Sequence, residues 1–153
     1  MKAKVLSIDP GAGGAIVYRD EDGIVTAIKM PEGMTGLCDK LRELAANGYT
    51  SAIVERVGTY VPGNSGPAAA SFARHCGQLD AAIYLNGIAI IANPTPGQWM
   101  KRIGVPRFEE KPDRKRWLKE WAQRRFPSLT VTLVTADALA MLVAMIGENT
   151  NGI

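Results

Sequence analysis

Residues 3–11 read Ala-Lys-Val-Leu-Ser-Ile-Asp-Pro-Gly, and they constrain the chain more than any other stretch. Val5-Leu6-Ser7-Ile8 has the length and β-branched content of a buried strand. Pro10-Gly11 with Gly13-Gly14 forces a sharp turn, and Ala15-Ile16-Val17-Tyr18 returns as a second strand. A hairpin therefore opens the fold and places Asp9 at the end of a buried strand. Asp-Pro-Gly is also a common turn sequence, because Asp bonds the backbone two residues on and Pro fixes its own φ. Asp9 acquires a chemical meaning only from the acids that follow.

Asp20-Glu21-Asp22-Gly23 makes a second tight turn and residues 24–28 a third strand, which completes an antiparallel meander. Residues 35–47 form an amphipathic helix with Leu37, Cys38, Leu41, Leu44 and Ala45 on one face and Gly48 as its stop. Residues 50–57 read as a fourth strand with Glu55 at the end of its apolar run. An ionised carboxylate there is costly unless water, a cation or a metal meets it, the plain alternative being a solvated strand end or an Arg partner. Residues 58–67 are too rich in Gly and Pro to be regular and read as a mobile loop, which carries Asn64 and Tyr60, an aromatic suited to stacking on a base.

A long helix is expected over residues 68–85, with Phe72, Cys76, Leu79 and Ile83 spaced for burial. Ala69, Ala73 and Gly77 would permit close approach to the sheet or to a second subunit. Residues 88–92 are continuously apolar, so a fifth strand buried on both faces is expected. A short helix over 98–103 ends at Gly104, and a longer one over 112–126 has Trp117, Leu118 and Trp121 on one side. Lys111, Lys115 and Lys119 recur at four-residue intervals on another side, free to track a phosphate backbone. Pro127 stops that helix, residues 129–134 read as extended, and Thr135 caps a last apolar helix, Ala136–Ile146. Asp137 lies in its first turn, where an acid also simply complements the helix dipole.

At 153 residues, 46% hydrophobic and 22% charged, the chain suits one ordinary globular domain, residues 1–153. No apolar run approaches a membrane span, and Met1-Lys2-Ala3-Lys4 leads straight into a strand rather than a secretory leader. A cytoplasmic protein without a membrane partner is expected. Cys38 and Cys76 lack CxxC spacing and read as buried free thiols; His75, the single histidine, reads as structural or surface-exposed. The net charge is +3, yet residues 101–125 alone carry ten Lys or Arg against four acids, an excess of +6 that leaves −3 for the remainder. Such a segment suits a polyanion-binding face that includes Lys101, Arg102, Lys111, Arg114, Lys115 and Lys119, although a solvated helix face is the common alternative.

Asp9, Glu55 and Asp137 make a pattern together. If strands one and four are neighbours and the last helix lays its N-terminus across their ends, three carboxylates converge, and they repel unless divalent cations sit between them. Carboxylate oxygens without His or Cys suit Mg²⁺ or Mn²⁺. Paired ions about 4 Å apart are common machinery for phosphodiester hydrolysis, one activating water and the other stabilising the leaving 3′ oxygen.

Ile8-Asp9-Pro10-Gly11 with Gly14-Ala15, then residues 53–57 (Ile-Val-Glu-Arg-Val), then Ala136-Asp137-Ala138-Leu139 resemble the successive motifs of the RuvC-type Holliday junction resolvases. Pro94-Thr95-Pro96, Trp99-Met100-Lys101, Lys111, Lys115 and Phe126-Pro127 are similar to the short phage and bacterial versions, and the resemblance runs through nearly the whole chain. It implies an α/β, ribonuclease H-like fold: a five-stranded mixed sheet, three strands in an antiparallel meander and two parallel, flanked by helices. It further implies a homodimeric, Mg²⁺-dependent endonuclease that makes paired nicks in a four-way DNA junction, since two nicks across a junction call for two sites related by a two-fold axis. Asp9, Glu55 and Asp137 would be its catalytic and metal-holding residues, and Tyr60 would lie in a loop that probes the junction, with Asn64 as a further DNA-binding residue.

One position departs from the pattern. Three residues before the helix acid the family carries a further Asp or His, and this chain has Val134. Either a neighbour substitutes, or a second metal is weakly held, or the chain binds junctions and cleaves poorly. An actin-like kinase or ATPase shares the first strand and glycine turn, but those enzymes clamp a nucleotide between two lobes and 153 residues supply one.

Overall fold

The opening strand sits at the centre of the protein because both of its neighbours are made by the elements that follow it. A computed structural model describes residues 1–58, 63 and 65–147. In chain order the elements are β1 Val5–Asp9, β2 Ala15–Arg19, β3 Val25–Lys29, α1 Gly33–Ala46, β4 Ser51–Val54, α2 Gly66–Leu85, β5 Ala89–Ala92, α3 Pro96–Ile103, α4 Lys111–Arg125 and α5 Ala136–Ile146. The sheet order is β3-β2-β1-β4-β5. β1 pairs antiparallel with β2 and parallel with β4, and β4 pairs parallel with β5. The expected mixed sheet, a three-strand meander plus two parallel strands, is the sheet observed. Among the described residues no helix is long and apolar enough to cross a membrane.

Side chains alternate across a strand, so β1 divides its residues between two cores. Leu6 and Ile8 join Leu37, Leu41 and Leu44 of α1 and Leu79 and Ile83 of α2 on one face. Val5 points the other way, into the layer built by α3, α4 and α5. Ser7 and Asp9 follow Val5 by the same alternation. The Ser7 hydroxyl is fully buried there and donates to the Ala138 carbonyl at 2.8 Å, which fixes the first turn of α5 over β1. α5 is apolar nearly all round because it is enclosed between the sheet and its neighbouring helices, and Ala138 and Ala140 permit the close approach.

The hairpin turn is tight enough that a Cβ on Gly14 would collide with the Asp9 carbonyl, and Gly11 takes a φ of +107° that side chains rarely adopt. Asp20 holds the next turn by accepting from the backbone N–H groups of Asp22 and Ile24.

Three expectations fail. The apolar run at β5 is not buried on both faces: β5 is an edge strand, with Ile90 45% and Ile91 58% exposed. An uninterrupted apolar run means double burial only for an interior strand, and among the described residues nothing pairs with β5 beyond β4. Residues 129–134 form no strand. No sheet edge reaches them; Gln123 instead bonds the carbonyls of Phe126 and Leu129 and the N–H of Val131, and Leu133–Thr135 is a turn. Thr135 stands at the N-cap of α5 but does not cap it, because Thr132 and Thr135 bond each other's backbone N–H through their hydroxyls. Cys38 and Cys76 are free thiols as expected, though half-buried rather than buried.

Candidate active site

The parallel register places the acids. Ile8 pairs with Val54, and the Glu55 N–H donates to the Ile8 carbonyl at 3.1 Å, so Asp9 and Glu55 leave the carboxyl ends of adjacent strands side by side. Glu55 follows Ile53 in alternation and therefore emerges on the same face as Asp9, beneath the start of α5. The Ser7–Ala138 bond sets Asp137 over them.

All three carboxyls are held above the usual carboxylate range. Asp9 is pushed up from 3.8 to about 8, first by burial, then by the charges of Glu55 and Asp137, against a smaller opposing pull from Lys115. Glu55 is raised by burial, restrained by a bond from the Trp99 indole, and raised again by Asp137. Asp137 is raised by burial and pulled back by Lys115, Arg114 and Lys111. One of its oxygens, Oδ1, is buried without a hydrogen-bond partner, while Oδ2 lies 3.9 Å from the Lys115 ammonium. Among the described residues no three acid, His or Cys side chains stand close enough together to enclose an ion as they are placed. The acids sense one another's charge without forming a closed ligand ring.

The donor set fits a hard divalent cation nonetheless. It is made of carboxylate oxygens alone, it includes a buried oxygen with no partner, and its charge repulsion is what a cation would relieve. Val134 supplies no further ligand: it is 39% exposed in the turn before α5.

The basic residues divide. Lys111, Arg114 and Lys115 act electrostatically on Asp137, whereas Lys119 reaches only a surface groove that it shares with Lys111 and Lys115. The three lysines do line one groove, but not on a side apart from Leu118 as expected. At about 100° per residue, four-residue steps drift by roughly 40° each, so Lys119 has rotated out of the inward sector that Lys111 and Lys115 share with Leu118 and Ala122. Lys101 and Arg102 line a separate groove beside Asn93, and the Arg102 guanidinium meets the Ala144 carbonyl at 3.5 Å. Tyr60 and Asn64 lie outside the described residues.

Four residues support the site that the sequence did not place there, although His75 was expected to be structural or surface-exposed. Ser7 anchors α5. His75 accepts the Gly11 N–H at Nδ1, 3.1 Å away, and so ties α2 to the turn after Asp9. Asn93 donates to the Val54 carbonyl and accepts from the Arg56 guanidinium, and Trp99 donates to Glu55. The sequence signals are present in hindsight: one hydroxyl in an apolar strand, and a Thr-Pro-x-x-Trp helix start directly after an Asn-Pro pair.

The sheet order and the helices on its two faces define a ribonuclease H-like fold. Neither a protein-family model nor a curated protein sequence matches the chain. Among solved structures it is similar to RuvC of Thermus thermophilus, with 16% identity, a TM-score of 0.52 and 92% of each chain covered. It is likewise similar to Thermus thermophilus RuvC in complex with a Holliday junction substrate, at 16% identity and a TM-score of 0.54, covering 94% of this chain and 92% of that one. The yeast mitochondrial Holliday junction resolvase Ydc2 gives 13% identity and a TM-score of 0.47, over 94% of this chain and 75% of its own. At 16% identity the likeness to the two RuvC structures establishes the fold alone.

Proposed function

We propose that the chain is a structure-selective DNA endonuclease that resolves four-way junctions as a homodimer, using Mg²⁺ or Mn²⁺. The observation that carries this reading is the gathering of Asp9, Glu55 and Asp137 at the carboxyl ends of β1 and β4, all three raised in pKa and faced by a cationic helix. The chemistry such ions supply when bound is Lewis acidity: a more acidic water and compensation of charge on the scissile phosphate. Asp9, Glu55 and Asp137 would hold them. Lys111, Arg114 and Lys115 bring positive charge to the same rim, where they attract the phosphate backbone and orient it toward the acids. The structural likeness to a RuvC solved with a Holliday junction substrate supports branched DNA as the partner.

The homodimer is supported by large apolar side chains left exposed on one protomer: Tyr84 and Leu85 at the end of α2, at 82% and 79% exposure, and Ile90 and Ile91 on the β5 edge. Val134 and the absence of a closed acid cluster among the described residues favour a second reading, a junction-binding protein with impaired cleavage. One experiment separates the two. A labelled four-way junction is incubated with the chain and with Asp9→Asn, with and without Mg²⁺ or Mn²⁺, and resolved on native and denaturing gels. Symmetric, metal-dependent nicks that Asp9→Asn abolishes support the nuclease. Tight binding without nicks in either metal supports the second reading, and no junction binding refutes both.

A further inference from the structure

Glu55 is held from outside the acid group, by the segment that follows β5. Asn93 Nδ2 donates to the Val54 carbonyl at 2.8 Å, and its Oδ1 accepts from Arg56 Nε at 3.2 Å. The Arg56 N–H donates to the Pro94 carbonyl at 2.8 Å. The two residues flanking Glu55, the last of β4 and one just beyond it, are therefore pinned. The chain then enters α3 through a capping box in which Thr95 and Gln98 bond each other's backbone, with a Pro at the helix start and Gly104 in the left-handed conformation at its end. Both helix ends being fixed, Trp99 has one orientation. Its ring is 1% exposed in the core, and its Nε1 donates to Glu55 Oε2 at 2.6 Å.

A buried indole N–H requires an acceptor, and any carbonyl would satisfy it. Here the acceptor is one oxygen of a candidate metal-holding carboxylate, and the bond is short and charge-assisted. Burial alone would raise the Glu55 pKa, and this bond opposes it by favouring the ionised form.

We propose that Trp99 is a positioning residue for Glu55: its indole N–H occupies Oε2, fixes the carboxylate, and leaves Oε1 as the oxygen available to a divalent cation. This inference rests on the metal-dependent reading above. Outer partners of metal-binding carboxylates set ligand orientation, and removing one lowers metal affinity by about 10- to 100-fold.

The test uses the full chain, with Mn²⁺ binding measured by isothermal titration and the three tryptophan indole N–H signals followed by ¹H–¹⁵N spectra during Mg²⁺ addition. Trp99→Phe removes the donor. Because a smaller ring in this core could unfold the protein, benzothienylalanine at position 99 is the second variant, with the same ring volume and sulfur in place of N–H. The expected result is one indole signal that shifts with Mg²⁺, that also shifts in Glu55→Gln and that is lost in Trp99→Phe. Mn²⁺ affinity should fall by about 10-fold or more in both position-99 variants while the Trp117 and Trp121 signals stay in place. If the unaltered chain binds Mn²⁺ and the isosteric variant binds it within about two-fold, the positioning role is overturned and the nuclease reading stands. If the unaltered chain binds no Mn²⁺, both fall together.

Discussion

Asp9→Asn is expected to stabilise the protein at alkaline pH, and the size of the effect follows from the carboxyl's surroundings. In the folded chain Asp9 holds its proton up to about pH 8, against an ordinary value of 3.8. Below 3.8 both folded and unfolded chains carry the proton, and Asp9 adds no pH dependence. Between 3.8 and about 8 only the folded chain carries it, so stability falls as pH rises; above 8 both are ionised and the loss is complete. At about 1.4 kcal/mol per pH unit across that interval, the upper limit is near 6 kcal/mol. Asp9 is partly open to solvent, and its neighbours Glu55 and Asp137 adjust their own protonation, so roughly half of that limit, about 3 kcal/mol, is the working figure. For a domain of this size it corresponds to a melting temperature roughly 6–12 °C higher for the Asn variant at pH 8.5 without divalent ions. The assay is thermal unfolding of both proteins from pH 4 to pH 9 in the presence of a chelator. The two curves should meet near pH 4 and diverge as pH rises. Curves that run parallel across the range would refute the claim that Asp9 is a buried, repelled carboxyl. Adding Mg²⁺ at pH 8.5 should then raise the melting temperature of the unaltered chain more than that of Asp9→Asn, since ligand binding to the folded state alone stabilises it.

The other expectations are as follows. Mn²⁺ binding at pH 7 should release about one proton, largely from Asp9, seen as a dependence of the titration enthalpy on the ionisation heat of the buffer. Ser7→Ala should cost about 1–2 kcal/mol in denaturant unfolding, because the Ala138 carbonyl loses its buried donor, and should lower cleavage more than junction binding by loosening Asp137. Lys115→Met should weaken junction binding and reduce the slope of log affinity against log salt by roughly one, whereas Lys119→Met should do so without affecting Mn²⁺ affinity. Ile91→Glu on the β5 edge should shift the sedimentation of a homodimer toward monomer at micromolar concentration; an unchanged profile would remove β5 from the interface.

The residues that could be read from the sequence are those whose pattern is local. Val5 to Ile8 with a glycine turn dictates a buried hairpin, and Glu55 closing an apolar run dictates a carboxylate at a strand end. What could not be read depends on which element ends up beside which. Ile90 and Ile91 are indistinguishable by composition from interior-strand residues, and only the strand order exposes them. Thr130, Val131 and Thr132 have strand propensity, but they join no strand, and the N–H groups of Val131 and Thr132 turn to Gln123 and to the Thr135 hydroxyl. The Thr-Pro-x-x-Trp start of α3 marks the place of Trp99 but not its partner, because an indole buried in a core and an indole donating to an acid look alike until the acceptor is known.

α4 shows how one helix face can serve both the core and the site. Steps of three and four residues join Lys111, Arg114 and Lys115 to Leu118, Trp121 and Ala122 in one continuous inward stripe. Its C-terminal half is buried against α5; its N-terminal half meets the field of Asp137. The change from apolar to cationic residues along that stripe marks where α4 passes from the closed core to the open rim above the acids. A lysine on the opposite face could bind phosphate but could not balance buried carboxylates, since charges that far apart across solvent are screened. Lys115, half-exposed and 3.9 Å from Asp137, can do both, so moving its charge to the outer face, as Lys115→Ala with Glu120→Lys, leaves the net charge one unit above the original and should at least restore the salt dependence of DNA binding. It should leave Asp137 with a higher proton affinity than in the unaltered chain, measurable as a carboxyl ¹³C shift against pH. Recovery of the original Asp137 titration by the displaced lysine would show that the position of that charge along the stripe is immaterial.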